Sequence, residues 1–190
     1  MFGCVVCGKI SLSHICAKCK TTILTPSFFR RNDGEIPIFS FYKYSEIEKL
    51  LLTKHTLSGS FIYKTLAELS FKKFAENFEY DKTVSVIPID DDPKGGYSHT
   101  AILAKALKSS LLAVEWGRLR ALNKVKYAGQ TLEYRKNNPR NFEFKGAKYN
   151  EVVLVDDIIT TGTTIKEAAK KIQKAGHNPI FALTLADARE

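Results

Sequence analysis

The sequence contains no apolar run that approaches the roughly 18–20 residues needed to span a bilayer, which excludes a transmembrane helix. Its first residues, MFGCVVCGKI, lack the basic stretch and the apolar core of a secretory signal. Acidic residues are also scarce, since 20 of them accompany 29 basic residues and leave a net charge of +9. These absences favour a cytoplasmic protein whose partners are anionic, such as nucleic acid, phosphorylated small molecules or a membrane surface.

The chain is long enough for one packed domain and a small attachment. It has 190 residues, of which 44% are hydrophobic, so wholesale disorder is excluded. We expect a zinc-finger segment and connector over residues 1–36 and an α/β domain over residues 37–190.

All four cysteines lie within the first 19 residues, as Cys4-x2-Cys7 and, eight residues later, Cys16-x2-Cys19. Two such turns present four thiolates, the ligand set of a tetrahedral Zn²⁺ site. His14 could substitute as a ligand, but the four thiols already complete the set. About twenty residues cannot bury a core, so we expect the zinc to be structural. A pair of disulfides is disfavoured without an export signal, and a rubredoxin-like iron site is a further alternative.

The middle of the chain alternates strand and helix patterns. PIFSFYKY predicts a strand, and Ser45 with Glu48 predicts a capping box at the start of a helix. A second helix is expected over residues 60–78, with its phenylalanines in the core. KTVSVIPID predicts a buried strand that ends at Pro88, and a further helix is expected to begin near Ser98.

The loop between that strand and helix, DDDPKGGYSH, contains three acids and a glycine pair. A glycine loop before a helix lets backbone N–H groups approach an anion, although a plain turn is its commoner use. Asp90, Asp91 and Asp92 offer oxygen ligands to a divalent cation, with a solvated loop as the alternative.

Residues 118–148 hold most of the surplus charge, because they contain nine basic residues and two acidic ones, 9 − 2 = +7. Within this segment, residues 127–144 have no sustained apolar period and contain Gly129 and Pro139, which predicts a long mobile loop. Basic residues interleaved with Tyr127, Tyr134 and Phe142 suit contacts with phosphates and stacking on bases, and a solvated loop is the open alternative. The candidate DNA-binding residues are Lys124, Lys126, Arg135, Lys136 and Arg140.

The most informative stretch is EVVLVDDIITTGTTIKEAAKKIQKAG, residues 151–176. VVLV predicts a strand that is covered on both faces of a sheet. Thr164 with Glu167 predicts a capping box, and Gly176 predicts the end of the helix. Residues 158–163 then form a short loop between the carboxyl end of a parallel strand and a helix N-terminus, where open α/β sheets bind ligands.

The composition of this loop suits a phosphate. Small residues let the backbone wrap an anion, threonine hydroxyls add donors, and the helix dipole favours negative charge. Asp156 and Asp157 can accept hydrogen bonds from sugar hydroxyls or from water around Mg²⁺. The stretch therefore predicts a ribose 5-phosphate site.

Receiver domains of bacterial signalling also place an acid pair after a strand. They need a phosphoacceptor aspartate and a lysine on later strands, and about thirty residues remain here after the pair. This alternative is therefore disfavoured.

The stretch VVLVDDIITTGTT resembles the phosphoribosyl-pyrophosphate (PRPP) motif of type I phosphoribosyltransferases. Further parts of the chain resemble, in order, the ComFC branch of ComF-like competence proteins. They are the double CxxC, the strand end VIPID with the turn KGGYSH, and the residues Gln130, Arg135, Asn141 and Phe142. The resemblance covers nearly the whole chain. It implies the type I phosphoribosyltransferase fold: α/β, with a doubly wound, mostly parallel sheet and a small N-terminal four-cysteine zinc finger.

The resemblance implies roles for individual residues. The acid pair would contact the ribose hydroxyls, and the threonine loop would bind the 5-phosphate. The basic loop containing Tyr127 to Arg140 would close over PRPP. Lysine and glycines of the KGGYSH turn would flank the pyrophosphate with Mg²⁺. The implied PRPP-binding set is Asp156, Asp157, Thr160, Thr161, Gly162, Thr163, Thr164, Lys94, Gly95 and Gly96.

ComF-like proteins usually have Arg-Gly-Phe-Asn-Gln where this chain has GGYSH, residues 95–99. We expect Lys94 to supply the positive charge of the missing arginine.

Two functions follow as hypotheses. The first is natural transformation, in which the protein binds PRPP and single-stranded DNA entering the cytoplasm, with other DNA-uptake proteins as partners peripherally at the inner membrane. The second is a nucleobase-salvage phosphoribosyltransferase, which needs a hood that reads a base. Only HNPIFALTLADARE follows Gly176, and we expect no hood there. We favour the first function and leave open whether a transfer reaction is catalysed, and to which acceptor.

Overall fold

A six-stranded sheet forms the centre of the computed structural model, which describes residues 2–32, 35–56, 58–90, 97–123, 125 and 131–189. The strands are β1 (Phe2–Gly3), β2 (Ile10–Ser11), β3 (Phe29–Arg31), β4 (Ile38–Lys43), β5 (Val84–Pro88), β6 (Leu112–Val114), β7 (Leu119–Ala121), β8 (Phe142–Phe144), β9 (Glu151–Ile159) and β10 (Asn178–Asp187). The order in the central sheet is β3-β4-β10-β9-β5-β6, and every neighbouring pair is parallel except β3 and β4.

Helices connect the strands of this sheet. They are α1 (Ala17–Thr22), α2 (Tyr44–Leu51), α3 (Gly59–Leu69), α4 (Phe71–Glu76), α5 (His99–Ala106), α6 (Leu132–Asn137) and α7 (Thr163–Lys174), with a 3₁₀ turn at Leu52–His55. Within the part of the chain that the structure describes, none of them combines the length and the apolar character that crossing a bilayer requires.

Strand β9 is buried on both faces of the sheet, as its apolar run predicts. Val153 and Val155 belong to one hydrophobic cluster, which also contains core residues of α2, α3 and α5. Val152 and Leu154 belong to a second cluster, which contains the core residues of α7. Each such side chain contributes about 1.5–3 kcal/mol through burial. Helices on both faces of a mostly parallel sheet confirm the doubly wound α/β fold.

The chain leaves β5 and β9 in opposite directions. From β5 it passes through α5 on the first face to β6, whereas from β9 it passes through α7 on the second face to β10. Pairing of β9 with β5 ends at Val155, but pairing with β10 continues to Ile159. The last residues of β9 therefore border a crevice at the topological switch point, where open α/β sheets bind ligands.

The first predicted capping box is wrong. Helix α2 begins at Tyr44, and Glu46 accepts the backbone N–H of Lys43 at 3.0 Å. Ser45 and Glu48, two residues further on, do not form the box, because the helix begins before Ser45.

The helix predicted over residues 60–78 is two helices. It breaks at Ser70, whose buried hydroxyl donates to the carbonyl of Leu66 at 2.6 Å. A serine hydroxyl that bonds to the preceding turn competes with regular helix geometry. The break separates α3 from α4, and both pack against α5.

The second predicted capping box, of Thr164 and Glu167, is also wrong. Helix α7 is capped by Gly162, and no side chain bonds to the cap. The carboxylate of Glu167 instead accepts the backbone N–H groups of Arg140 and Asn141, at 3.0 and 2.7 Å. Glu167 therefore binds backbone groups that are distant in the chain, although the local pattern predicted that it would bind at the helix N-terminus.

The basic segment of residues 118–148 contains regular structure, so residues 127–144 are not the one long loop that was predicted. Strands β7 and β8 pair antiparallel within it, and helix α6 lies between them. Leu119 and Phe142 are buried in the second cluster and hold this two-stranded ribbon against α7. Strands of three residues are too short to show alternation, which is why the pattern did not predict them.

Candidate functional site

Two adjacent carboxylates stand where β9 continues beyond β5. Asp156 and Asp157 are part of the strand, not of the loop after it. One oxygen of Asp156 accepts the backbone N–H of Asp157 at 2.8 Å, and one oxygen of Asp157 accepts that of Ile158 at 2.9 Å. Because successive side chains of a strand point to opposite faces, Asp157 faces the α3 and α5 side and Asp156 faces the α7 side.

Asp157 is held by two basic side chains. Its Oδ2 lies 3.0 Å from Nζ of Lys54 and 3.9 Å from Nε2 of His99, and the residue is 8% exposed. The hydroxyl of Tyr97 donates to the carbonyl of Lys54 at 2.6 Å, which fixes the 3₁₀ turn beside the crevice. Burial opposes ionisation, but Lys54 and then His99 outweigh it and lower the pKa of Asp157.

Asp156 has the opposite electrostatic character. Burial and the nearby charge of Asp157 raise its pKa to about 8, against the opposing influence of the Arg140 guanidinium. The pair therefore favours holding one proton, which Asp156 keeps more readily than Asp157 does. A ligand that needs both carboxylates ionised must displace that proton.

The three residues after β9, Thr160 to Gly162, lead directly into α7. Gly162 has a φ of 72°, in the left-handed region where glycine is favoured. The hydroxyl oxygens of Thr161 and Thr163 lie 2.9 Å apart, and a hollow lined by Asp156 and residues 158–165 opens beside them. The N-terminal N–H groups and the dipole of the 12-residue α7 make this hollow suitable for an anion such as phosphate.

An ion pair supports this loop from β3. The guanidinium of Arg31 donates to the carbonyl of Thr160 at 2.7 Å and to the carboxylate of Asp187, at the end of β10, at 2.8 Å. The two charged side chains are 10% and 3% exposed. Arg31 was not predicted as a site residue, because it lies in the predicted connector and a strand of three residues carries no periodic signal.

A second pair joins the end of β5 to the ribbon. Arg140 lies 3.3 Å from Oδ2 of Asp90, and Oδ1 of Asp90 accepts the backbone N–H of Ala121 at 3.4 Å. Asp90 has a φ of 50°, so the chain turns sharply as it leaves β5. The arginine predicted for DNA thus has its guanidinium beside the acid pair.

The structure describes only some of the predicted PRPP and DNA residues. The described members of the PRPP set come together at the carboxyl end of β9 and the start of α7: Asp156, Asp157, Thr160, Thr161, Gly162, Thr163 and Thr164. Lys94, Gly95 and Gly96 lie outside the described residues, as do Lys124 and Lys126. Arg135 and Lys136 lie on α6, with side chains outside the described part. Their roles stay predictions.

The four cysteines converge at the amino end of the chain. Their sulfur atoms all lie within 4.8 Å of one another, and those of Cys7 and Cys16 are 3.8 Å apart. Sulfurs at about 2.3 Å from a tetrahedral zinc ion lie about 3.8 Å from one another, so the donor set fits Zn²⁺. All four are free thiols, which disfavours the disulfide alternative.

The environment of these sulfurs also suits a cation. Burial opposes ionisation of Cys4, but backbone N–H groups, with that of Cys16 at 3.3 Å, lower its pKa to about 6. Burial and the neighbouring sulfurs raise the pKa of Cys19 to about 12, and a divalent cation would offset this accumulation of charge. His14 is not a fifth member, since its ring stacks on Phe61 at 5.1 Å.

Comparison with known proteins assigns the greater part of the chain. A family profile described as a phosphoribosyl transferase domain matches residues 58–190. Two crystal structures of a hypoxanthine phosphoribosyltransferase from Staphylococcus aureus, in tetragonal and orthorhombic space groups, are 15% and 16% identical, with TM-scores of 0.40 and 0.38. Each comparison covers 66% of this chain and 62% of that enzyme, so the chain spans less than two thirds of its length. No curated protein matches the chain.

Proposed function

The chain belongs to the phosphoribosyl transferase domain family, and from this premise we propose that the crevice at the end of β9 binds PRPP together with Mg²⁺. One observation carries the proposal: only five residues separate an acid pair from the N-terminus of a long helix, and both lie at a topological switch point. A phosphorylated sugar needs both, an anion seat at one end and hydrogen-bond acceptors at the other.

The division of labour follows from the contacts. The N–H groups and hydroxyls of residues 160–164 hold the 5-phosphate, and the loop keeps its shape because Arg31 binds the carbonyl of Thr160. Asp157, kept ionised by Lys54, accepts from a ribose hydroxyl, and Asp156 accepts once it has lost its proton. Magnesium would neutralise the pyrophosphate charge, and Lys94, Gly95 and Gly96 are proposed to flank it.

Isothermal titration calorimetry tests the site directly. We expect the zinc-loaded protein to bind PRPP only with Mg²⁺, and Asp156→Asn/Asp157→Asn to abolish the heat of binding. Asp81→Asn, which removes an exposed carboxylate, is the matched control and should bind like the wild type. Unchanged binding by the double variant would exclude the acid pair from the site.

We further propose that the protein is a ComF-like competence protein that binds single-stranded DNA and supports its uptake during natural transformation, with other DNA-uptake proteins as partners. The surplus of +7 on residues 118–148 supports this role, because nucleic-acid affinity comes largely from phosphate contacts. Neutralising Lys124, Lys126, Arg135 and Lys136 should weaken binding of an oligonucleotide in a gel shift and reduce its salt dependence. If the gel shift is unchanged in this variant, the segment does not bind DNA.

Family membership also accommodates a second candidate, a nucleobase-salvage phosphoribosyltransferase. The two candidates differ in the acceptor of the sugar. Release of pyrophosphate with adenine, guanine, xanthine, uracil or orotate would favour salvage. Deletion of the gene in its host, with DNA uptake and nucleobase salvage scored together, separates the two functions.

A further inference from the structure

Helices α3, α4 and α5 enclose an open groove of about 580 Å³ on the first face of the sheet. Ala67, Ala75 and Ala106 line it together with Ile102, and their small side chains leave its floor deep and apolar. The break at Ser70 contributes, because it separates α4 from the line of α3.

The rim of the groove is charged. It carries four lysines and two glutamates: Lys64, Lys72, Lys105, Lys108, Glu68 and Glu76. Lys72 lies 4.0 Å from Glu76, whereas Lys64, Lys105 and Lys108 form no ion pair with any described residue. The rim therefore presents a net charge of 4 − 2 = +2 around an apolar floor.

An aromatic side chain stands among the residues that line the groove. Phe61 is 59% exposed, although its ring stacks on His14 of the cysteine-containing segment with an interplanar angle of 7°. A large apolar side chain that is exposed and yet held in place is typical of an interface anchor.

We propose that this groove docks an acidic amphipathic helix of a partner protein. Apolar side chains at positions i, i+3 or i+4 and i+7 would rest on the alanine floor and on Phe61, while flanking glutamates or aspartates would face the lysines of the rim. A second copy of this chain is a poor occupant, since each copy carries a net charge of +9 and the two would repel.

A DNA strand is a poorer occupant than a helix. Proteins that bind single strands without sequence preference stack successive bases on several aromatic side chains. Phe61 is the single aromatic residue among those that line the groove. The groove shares no residue with the hollow at the start of α7, so the inference stands independently of PRPP binding.

Fluorescence anisotropy with the zinc-loaded full chain tests the proposal. The probe is a labelled helical peptide of about 18 residues with leucines at i, i+3, i+4 and i+7 and glutamates on both flanks. A second peptide keeps the leucines and replaces every glutamate with lysine. We expect the acidic peptide to bind at least tenfold more tightly, with an affinity that falls as salt rises.

Three variants locate the binding. Lys64→Glu/Lys105→Glu should weaken the acidic peptide at least tenfold, whereas Lys49→Glu/Lys171→Glu, an equal change of charge at exposed positions outside the groove, should leave its binding within twofold. Ala106→Phe should also weaken it by filling the floor, and thermal melting checks that this variant is folded.

Three results would overturn the proposal. The first is equal affinity for the two peptides, and the second is an equal loss of affinity for the acidic peptide in the two double variants. The third is a loss of oligonucleotide binding in Lys64→Glu/Lys105→Glu without a loss of peptide binding. The last result would assign the groove to nucleic acid.

Discussion

Replacing Asp156 with asparagine should stabilise the unliganded protein while it weakens the proposed PRPP site. The folded-state pKa of Asp156 is about 8, and an ordinary aspartate has a pKa of 3.8. The unfolded chain therefore loses this proton first, and the free energy of unfolding falls as pH rises from about 4 to about 8. Asparagine has no proton to lose, so the variant escapes this penalty.

The size of the effect follows from the separation of the two pKa values. At pH 7 the separation is 7 − 3.8 = 3.2 pH units at about 1.36 kcal/mol each, which amounts to about 4 kcal/mol, and at pH 5 the penalty is less than half of that. These are upper limits, because water entering the crevice can solvate the carboxylate as it ionises. We expect a gain of about 1–3 kcal/mol from pH 5 to pH 7, which corresponds to roughly 3–10 °C in melting temperature for a chain of this size.

Thermal unfolding of both proteins, followed by circular dichroism from pH 5 to pH 8 without PRPP, measures this difference. Comparing variant with wild type at each pH cancels the other titrating groups. Asp157→Asn is the opposite control: it leaves Lys54 without its carboxylate and should destabilise the protein at pH 7. If Asp156→Asn melts no higher than the wild type at pH 7, or its gain is the same at pH 5, the reasoning about the shared proton is wrong.

Three further predictions concern the same regions. The affinity for Mg²⁺ and PRPP should rise about tenfold from pH 7 to pH 9 in calorimetry, since Asp156 must give up its proton; a flat profile would contradict this. Arg31→Ala should lower the free energy of unfolding by about 3–5 kcal/mol, because it leaves the buried carboxylate of Asp187 without its cation, and denaturant titration should show a smaller loss for Arg31→Lys. Elemental analysis should find zinc, not iron, and chelation should lower the melting temperature by several degrees, since Cys4 and Cys19 belong to the main hydrophobic cluster; an unchanged melt would contradict this.

The sequence predicted the centre of the fold because the centre depends on local pattern. The apolar run of β9, the threonine loop and the end of α7 near Gly176 each occupy a few consecutive residues, and they lie in the structure close to where the pattern places them. The cysteine cluster was predictable for the same reason, since its spacing reports the turns that bring the thiols together.

The supporting contacts of the site were not predictable, because their partners are far apart in the chain. Lys54 and Asp157 are separated by 103 residues, and Arg31 and Thr160 by 129. Pairing at such distances depends on the order of strands in the sheet, which no local pattern reports. The failure of the capping box at Glu167 has the same origin, since backbone groups 27 and 26 residues away take that carboxylate.

The position of β4 in the sheet has a practical consequence for anyone who trims the gene. A fragment cut to residues 58–190 would omit β3 and β4, and with them Arg31 and Lys54. The backbone groups of β10 that now pair with β4 would be exposed, and β10 would become an edge strand. Exposed edge strands pair with other chains and cause aggregation. Such a fragment would aggregate and would also lack the two cations that support the site, so its failure in a binding trial would say nothing about the intact chain. Expressed fragments should therefore begin well upstream of β3.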